Sequence, residues 1–172
     1  DGLVTFEPDE NYNGTDSFDY SIFDGENTIS GQSFALTVSA VNDAPVGTGD
    51  TVTTDEDTPI IIDVLNNDND VDLDDLDVQS VTSGTHGTVV INPDDTVTYT
   101  PDENWNGSDS FTYTVSDGNG GTDMVTVDVT VNAVNDAPSV NTSAGSVEED
   151  GVLTVTSDML DVADIDNAAG EL

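Results

Sequence analysis

From Ser110 to Asn132 apolar and polar residues alternate with a period of two. Phe111, Tyr113 and Val115 are separated by Thr112 and Thr114, and Val125, Val127, Val129 and Val131 by Thr126, Asp128 and Thr130. Such alternation puts one face of a strand in a core and the other in water. Turn-forming clusters bound the runs: Pro93-Asp94-Asp95, Asn106-Gly107 and Asp117-Gly118-Asn119-Gly120-Gly121. Residues 46–138 are thereby predicted to hold strands at about 49–54, 59–65, 76–82, 86–92, 95–100, 110–116 and 122–132, lettered A to G. Seven short strands with no helical period predict an all-β fold, an antiparallel Greek-key sandwich of the immunoglobulin kind.

The pattern occurs twice. Pro8 to Pro45 aligns without a gap on Pro101 to Pro138, 93 positions later, with identity at 20 of 38 positions. A fixed period of this size marks a tandem array of one domain type. Residues 46–138 form the complete unit. Residues 1–45 hold the C-terminal part of a preceding unit, strands E, F and G, with Val4-Thr5-Phe6 matching Val97-Thr98-Tyr99. Residues 139–172 hold the N-terminal part of a third, strands A and B. Partial sandwiches expose apolar faces and strand edges. The preferred reading is that both ends continue in a longer chain; the alternative is completion by neighbouring copies through strand addition.

Charge narrows the function classes. The chain has 37 Asp and Glu, one His, and no Lys or Arg, for a net charge of −37. Self-repulsion on this scale calls for screening salt or bound cations. Nucleic acid is excluded as a partner because phosphates are neutralised by Lys and Arg, and insertion of this segment into a membrane is not expected. The strand patterning argues against disorder despite the charge. No cysteine is present, so a disulfide framework or Cys-ligated zinc is unavailable.

The sharpest chemical signal is Asn67-Asp68-Asn69-Asp70-Val71-Asp72-Leu73-Asp74-Asp75 between strands B and C. Alternate carboxylates on a curling loop suit calcium, which takes six to eight oxygen ligands in flexible geometry. Strand parity extends the prediction. The B–C, D–E and F–G loops share one end of the complete repeat, and the A–B loop, the E–F loop and the exit linker share the other. That far end collects Glu56, Asp57, Asp102, Asn104, Asp109, Asn135 and Asp136, faced by Asp164 and Asp166 of the next B–C loop. Likewise Asp9, Asn11, Asp16, Asn42 and Asp43 of the first part would face Asp68, Asp70 and Asp72. Each junction becomes a candidate calcium cage.

The chain resembles the bacterial cadherin-like tandem repeats of large RTX-type surface adhesins. The resemblance rests on Asn67-Asp68, Asp70, Asp72, Asp74 and Leu76, on His86-Gly87-Thr88-Val89, on Tyr99 through Tyr113, on Asp117-Gly118-Asn119-Gly120, and on Val134-Asn135-Asp136-Ala137-Pro138. It implies calcium at the junctions, an extracellular location at the bacterial cell surface, and a stalk holding adhesive modules away from the cell, with roles in adhesion and biofilm formation. Its partners would be neighbouring repeats of the same chain, head to tail, or identical chains in a fibre. Two features depart from the pattern: the third repeat lacks the Asn-Asp opening, and Leu73 stands where such loops often carry Gly.

Other readings compete with this one. A filament subunit completed by strand addition, or a module binding a sugar or peptide, would use the same sandwich; so would a fold adapted simply to high salt. His86 and the many paired carboxylates raise the question of catalysis. The sequence reading answers no, because His86 lies in a patterned turn without a base and nucleophile around it. Trp105 and its counterpart Tyr12 are assigned to plugging the sandwich end rather than to stacking on sugars.

Overall fold

The computed structural model describes residues 3–155 and 160–166. Among these residues eleven strands run in the order β1 (Gly14–Phe23), β2 (Thr28–Val38), β3 (Asp50–Asp55), β4 (Ile60–Ile62), β5 (Asp77–Val81), β6 (Gly87–Ile91), β7 (Val97–Pro101), β8 (Gly107–Ser116), β9 (Thr122–Asn132), β10 (Ser139–Ser143) and β11 (Leu160–Ala163). Strands β3 to β9 correspond to A through G. One sheet has the order β3-β9-β8-β5 and the other β4-β7-β6. All pairings within them are antiparallel except β3 with β9, which is parallel.

The alternating residues close the space between the two sheets. Phe111, Tyr113 and Val115 on β8 lie opposite Val127, Val125 and Asp123 on β9, and the apolar members are buried with Val97 and Tyr99 of β7. Burying side chains of this size contributes roughly 1.5–3 kcal/mol each, the main favourable term in holding such a sandwich together. Buried tyrosines need a partner for the hydroxyl. Tyr113 donates to the Val64 carbonyl (2.9 Å) and to Asp68 Oδ2 (2.8 Å) at one end of the sandwich. Tyr99 donates to Asp109 Oδ2 (2.9 Å) at the other. In both cases burial, followed by the neighbouring carboxylate, raises the phenol pKa well above its ordinary value. Gly87 allows the close approach here, since a Cβ at that position would lie 2.5 Å from the Tyr99 ring.

The two ends of the chain differ from expectation. Of strands E, F and G predicted for residues 1–45, only β1 and β2 form, as a hairpin with Phe18 stacked on Phe34 (5.4 Å between centroids). Val4-Thr5-Phe6 is not a strand. The reason lies in the pairing: in the complete repeat strand E sits between B and D, and neither has a counterpart among residues 3–45. The hairpin face equivalent to the core is open to solvent, with Ile22 and Phe34 each 54 % exposed. In the third unit β10 pairs not with a strand B but with β11, which falls in the predicted B–C loop. Part of the region where strand B was expected, 156–159, lies outside the described residues. The Ser139–Ala163 pair extends a contact already present in the complete repeat as the isolated bridge Val46–Asn69.

Candidate metal centre

The B–C loop begins where Asp68 is drawn into the core by Tyr113 and, on its other oxygen, accepts the Thr48 N–H (2.7 Å). From there the chain curls. Asp70 is 5 % exposed, and its Oδ1 accepts the Asp72 N–H (2.8 Å). Leu73 takes the left-handed conformation with φ 63°, uncommon for a residue with a Cβ; this is the position where a Gly would relieve the backbone. The curl brings carboxylate oxygens of Asp70, Asp72 and Asp74 within 4.8 Å of one another. Asp70 Oδ2 is buried and has no hydrogen-bond partner.

The preceding linker closes over this loop. Asp43 donates its N–H to Asp72 Oδ2 (2.7 Å), and Asn42 Nδ2 donates to Asp117 Oδ2 (2.7 Å). Asp9, Asn11 and Tyr12 of the first part join Asp43 and Asp72 around a cavity of about 280 Å³. Asp16 contributes elsewhere, to a shallow depression with Asp9 and Tyr12.

The second junction repeats the arrangement. Asp136 donates its N–H to Asp166 Oδ2 (2.5 Å), and Asp166 donates its own to Asp164 Oδ1 (2.9 Å). Both steps match the relay from Asp43 through Asp72 to Asp70. Asn135 Nδ2 bonds the Asp136 carbonyl as Asn42 bonds that of Asp43. On the side of the complete repeat, buried Glu56 accepts the Val134 N–H and Asp57 accepts the Asn104 N–H (2.9 Å). Asp136 Oδ2 is buried without a partner. Burial, then the charges of Asp166, Asp57, Glu56 and Asp164, raise its pKa. Four carboxylates from two successive units thus act on a fifth, with no Lys or Arg to offset them.

Other predicted residues are placed differently. Asp109 has the parity of Phe111 and Tyr113 and turns inward, where its oxygens accept the Thr85, His86 and Ser110 N–H groups and the Tyr99 hydroxyl. Burial alone would raise its pKa, but these donors outweigh it and hold the carboxylate below its ordinary range. Asp109 and Asp68 thus have their donors within their own repeat. Asp102 is exposed, and its N–H donates to the His86 carbonyl (2.9 Å). His86 stacks flat on Trp105 at 4.3 Å.

Sequence reasoning passed over three residues. Asp74 completes the triad with Asp70 and Asp72. Asp50, at the start of β3, has a buried oxygen without a partner, and burial, then Asp68, raises its pKa. Asp117 is 3 % exposed; the Asn42 amide first, then the backbone N–H groups of Asn119, Gly121 and Gly120, hold its pKa low against burial. The alternation that exposed the first was available in the sequence. Asp117 was hidden inside a turn signal.

These shifts have opposite consequences for pH. Asp109 and Asp117, held low, contribute stability that is complete above the unfolded carboxylate value of about 3.9 and is lost as pH falls through their lower folded values. Asp50 and Asp136, held high, oppose folding once ionised, and acidification through their folded values relieves this. In chelator, the melting temperature should rise as pH is lowered from neutrality, peak above about 3.9, and then fall. A melting series from pH 7 to 3 checks this; a monotonic loss of stability on acidification would contradict it.

The donor set fits a hard divalent cation: oxygen ligands only, clustered carboxylates, and, among three buried oxygens without hydrogen-bond partners in the described residues, Asp70 Oδ2 and Asp136 Oδ2 beside the two linkers. The sandwich topology defines an immunoglobulin-like module. The chain belongs to the cadherin-like domain family, whose model matches residues 1–39 and 41–132. Domains of this family usually bind calcium. No curated protein matches the sequence.

Among solved structures, the chain is similar to the endo-fucoidan hydrolase MfFcnA4 from glycoside hydrolase family 107, at 22 % identity and a TM-score of 0.41 over 73 % of this chain. It is also similar to the endo-fucoidan hydrolase MfFcnA9 of that family, at 19 % identity and a TM-score of 0.36 over 69 %. It spans 20 % and 22 % of the length of those proteins. The expectation that the chain is not an enzyme is withdrawn against this finding, since the similar structures bear the titles of endo-fucoidan hydrolases. At these scores the likeness itself assigns no reaction to the chain.

Proposed function

We propose that this chain is a calcium-stiffened extender segment of an extracellular bacterial adhesin or surface fibre of the RTX type, serving adhesion and biofilm formation. In this reading residues 46–138 are one complete repeat, and residues 1–45 and 139–172 belong to its neighbours, packed head to tail. The observation that carries the reading is the recurrence of one arrangement at both junctions: a linker Asp N–H on the second Asp of a B–C loop, whose own N–H rests on the first.

Asp70, Asp72 and Asp74 with Asp43 would hold the cation at the first junction, and Glu56, Asp57, Asp136, Asp164 and Asp166 at the second. Asp9, Asn11, Asn42, Asn104 and Asn135 supply nearby oxygens, while Asp16 and Asp102 stay peripheral. Calcium supplies the positive charge that the sequence lacks. Without it, facing carboxylates repel and adjacent repeats pivot; with it, repulsion becomes attraction and the array extends.

Small-angle scattering tests this. The maximum dimension of the 172-residue chain should increase when calcium replaces chelator, and should not do so in sodium chloride of equal ionic strength. An identical response to both salts would remove calcium from the account.

A further inference from the structure

The linker between repeats is not a free tether. Its N–H groups are taken up by the repeat that follows: Asp43 by Asp72 (2.7 Å), Gly47 by Asp123 (3.0 Å) and Thr48 by Asp68 (2.7 Å). Val46 exchanges both backbone hydrogen bonds with Asn69 (2.8 and 3.1 Å). Packing agrees with the bonding. Pro45 is buried. A Cβ on Gly121, in the F–G loop, would lie 2.7 Å from Ala44 Cα, and one on Gly47 would run into Val125. The Asn42 side chain reaches Asp117 in the same loop. Upstream of Asn42 the attachment changes. At the second junction Val134, the counterpart of Val41, donates to Glu56 of the preceding repeat, which also donates its N–H to the Asn132 carbonyl (2.9 Å).

We propose that each linker is divided at one peptide unit, Val41–Asn42 and Val134–Asn135. Everything before it rides with the preceding repeat and everything after it with the following one, so a calcium-free array bends only there. The proposal rests on the extender reading for its use, but not for its test. Glu56 and the carboxylates of the B–C and F–G loops then act before any cation arrives. They fix the linker's path by accepting its N–H groups, so that calcium has a single pivot to freeze instead of a flexible segment of several residues.

Hydrogen exchange of the 172-residue chain in chelator, where calcium plays no part, decides the matter. The amides of Asp43, Gly47, Thr48 and Val134 should be protected by at least about tenfold relative to Asn42 and Asn135. Gly121→Ala should accelerate Asp43, Gly47 and Thr48 while leaving Val127 and Val129 in β9 unchanged; its backbone is not left-handed, so the added cost is the clash of the new Cβ with Ala44 and with Asp117 Oδ2, the oxygen that holds Asn42. Asn42→Ala, which keeps the loop intact, should do the same to a smaller degree. Glu56→Ala should release Val134 alone. Linker amides that exchange in chelator as fast as Asn42 and Asn135 would overturn the proposal, as would linker protection indifferent to both Gly121→Ala and Asn42→Ala. Failure of calcium to extend the chain in scattering would leave it untouched.

Discussion

In about 10 mM calcium the chain should melt roughly 6–20 °C higher than in chelator, while sodium chloride of matched ionic strength should give a much smaller rise. The size follows from mass action. Extracellular calcium modules bind with dissociation constants of about 10⁻⁴ to 10⁻³ M. A tenfold to hundredfold excess over such a constant stabilises the folded state by about 1.4–2.7 kcal/mol per site. For a domain of this size each kcal/mol moves the midpoint by about 4–8 °C. The selectivity follows from the donor set. Monovalent salt screens the −37 charge over a Debye length of about 10 Å at 0.1 M, but it does not satisfy converging oxygens such as Asp70 Oδ2 and Asp136 Oδ2. Calorimetric scans in the three buffers separate the cases. A sodium response equal to that of calcium would assign the acidity to solvation in salt.

The fold was legible where sequence alternation and pairing are both local to one repeat. Phe111, Tyr113 and Val115 announced β8, the valines from 125 to 131 announced β9, and the observed strands of the complete repeat lie within a few residues of those expected. The ends were less legible because a strand is defined by its partners. Val4-Thr5-Phe6 carries the same pattern as Val97-Thr98-Tyr99, yet has no B or D strand to sit between. Asp164 and Asp166 take the places of Asp70 and Asp72 at an offset of 94 rather than 93.

The candidate site divided along similar lines. The loop that supplies Asp70 and Asp72 could be read directly, since alternate carboxylates without a base have few other uses. What each Asp does could not be read from its type. Asp109 stands two residues from Phe111, and parity turns it into the sandwich end, beneath Tyr99 and the C–D loop. Asp68 likewise serves Tyr113 and Thr48. Acids in this chain therefore fall into two groups. Asp68 and Asp109 have both oxygens met by N–H or O–H donors within one repeat, whereas Asp70 and Asp136 each keep one buried oxygen that meets no donor.

That division predicts a reversal of sign for Asp70→Asn. Without calcium, Asp70 is a buried carboxylate with one oxygen unpartnered, close to two further carboxylates. Burying such a charge is costly. Asparagine keeps Oδ1 as acceptor for the Asp72 N–H and turns the orphan oxygen into an NH₂ donor facing Asp72 and Asp74. In chelator the variant should therefore melt above the parent, by an amount corresponding to roughly 1 kcal/mol or more. In calcium the order should invert, because the variant gives up an ionised ligand and with it much of the about 1.4–2.7 kcal/mol that binding supplies. Thermal scans of both proteins in both buffers check the crossing. If Asp70→Asn instead destabilises equally with and without calcium, Asp70 is a structural residue of the loop and the cation site lies elsewhere.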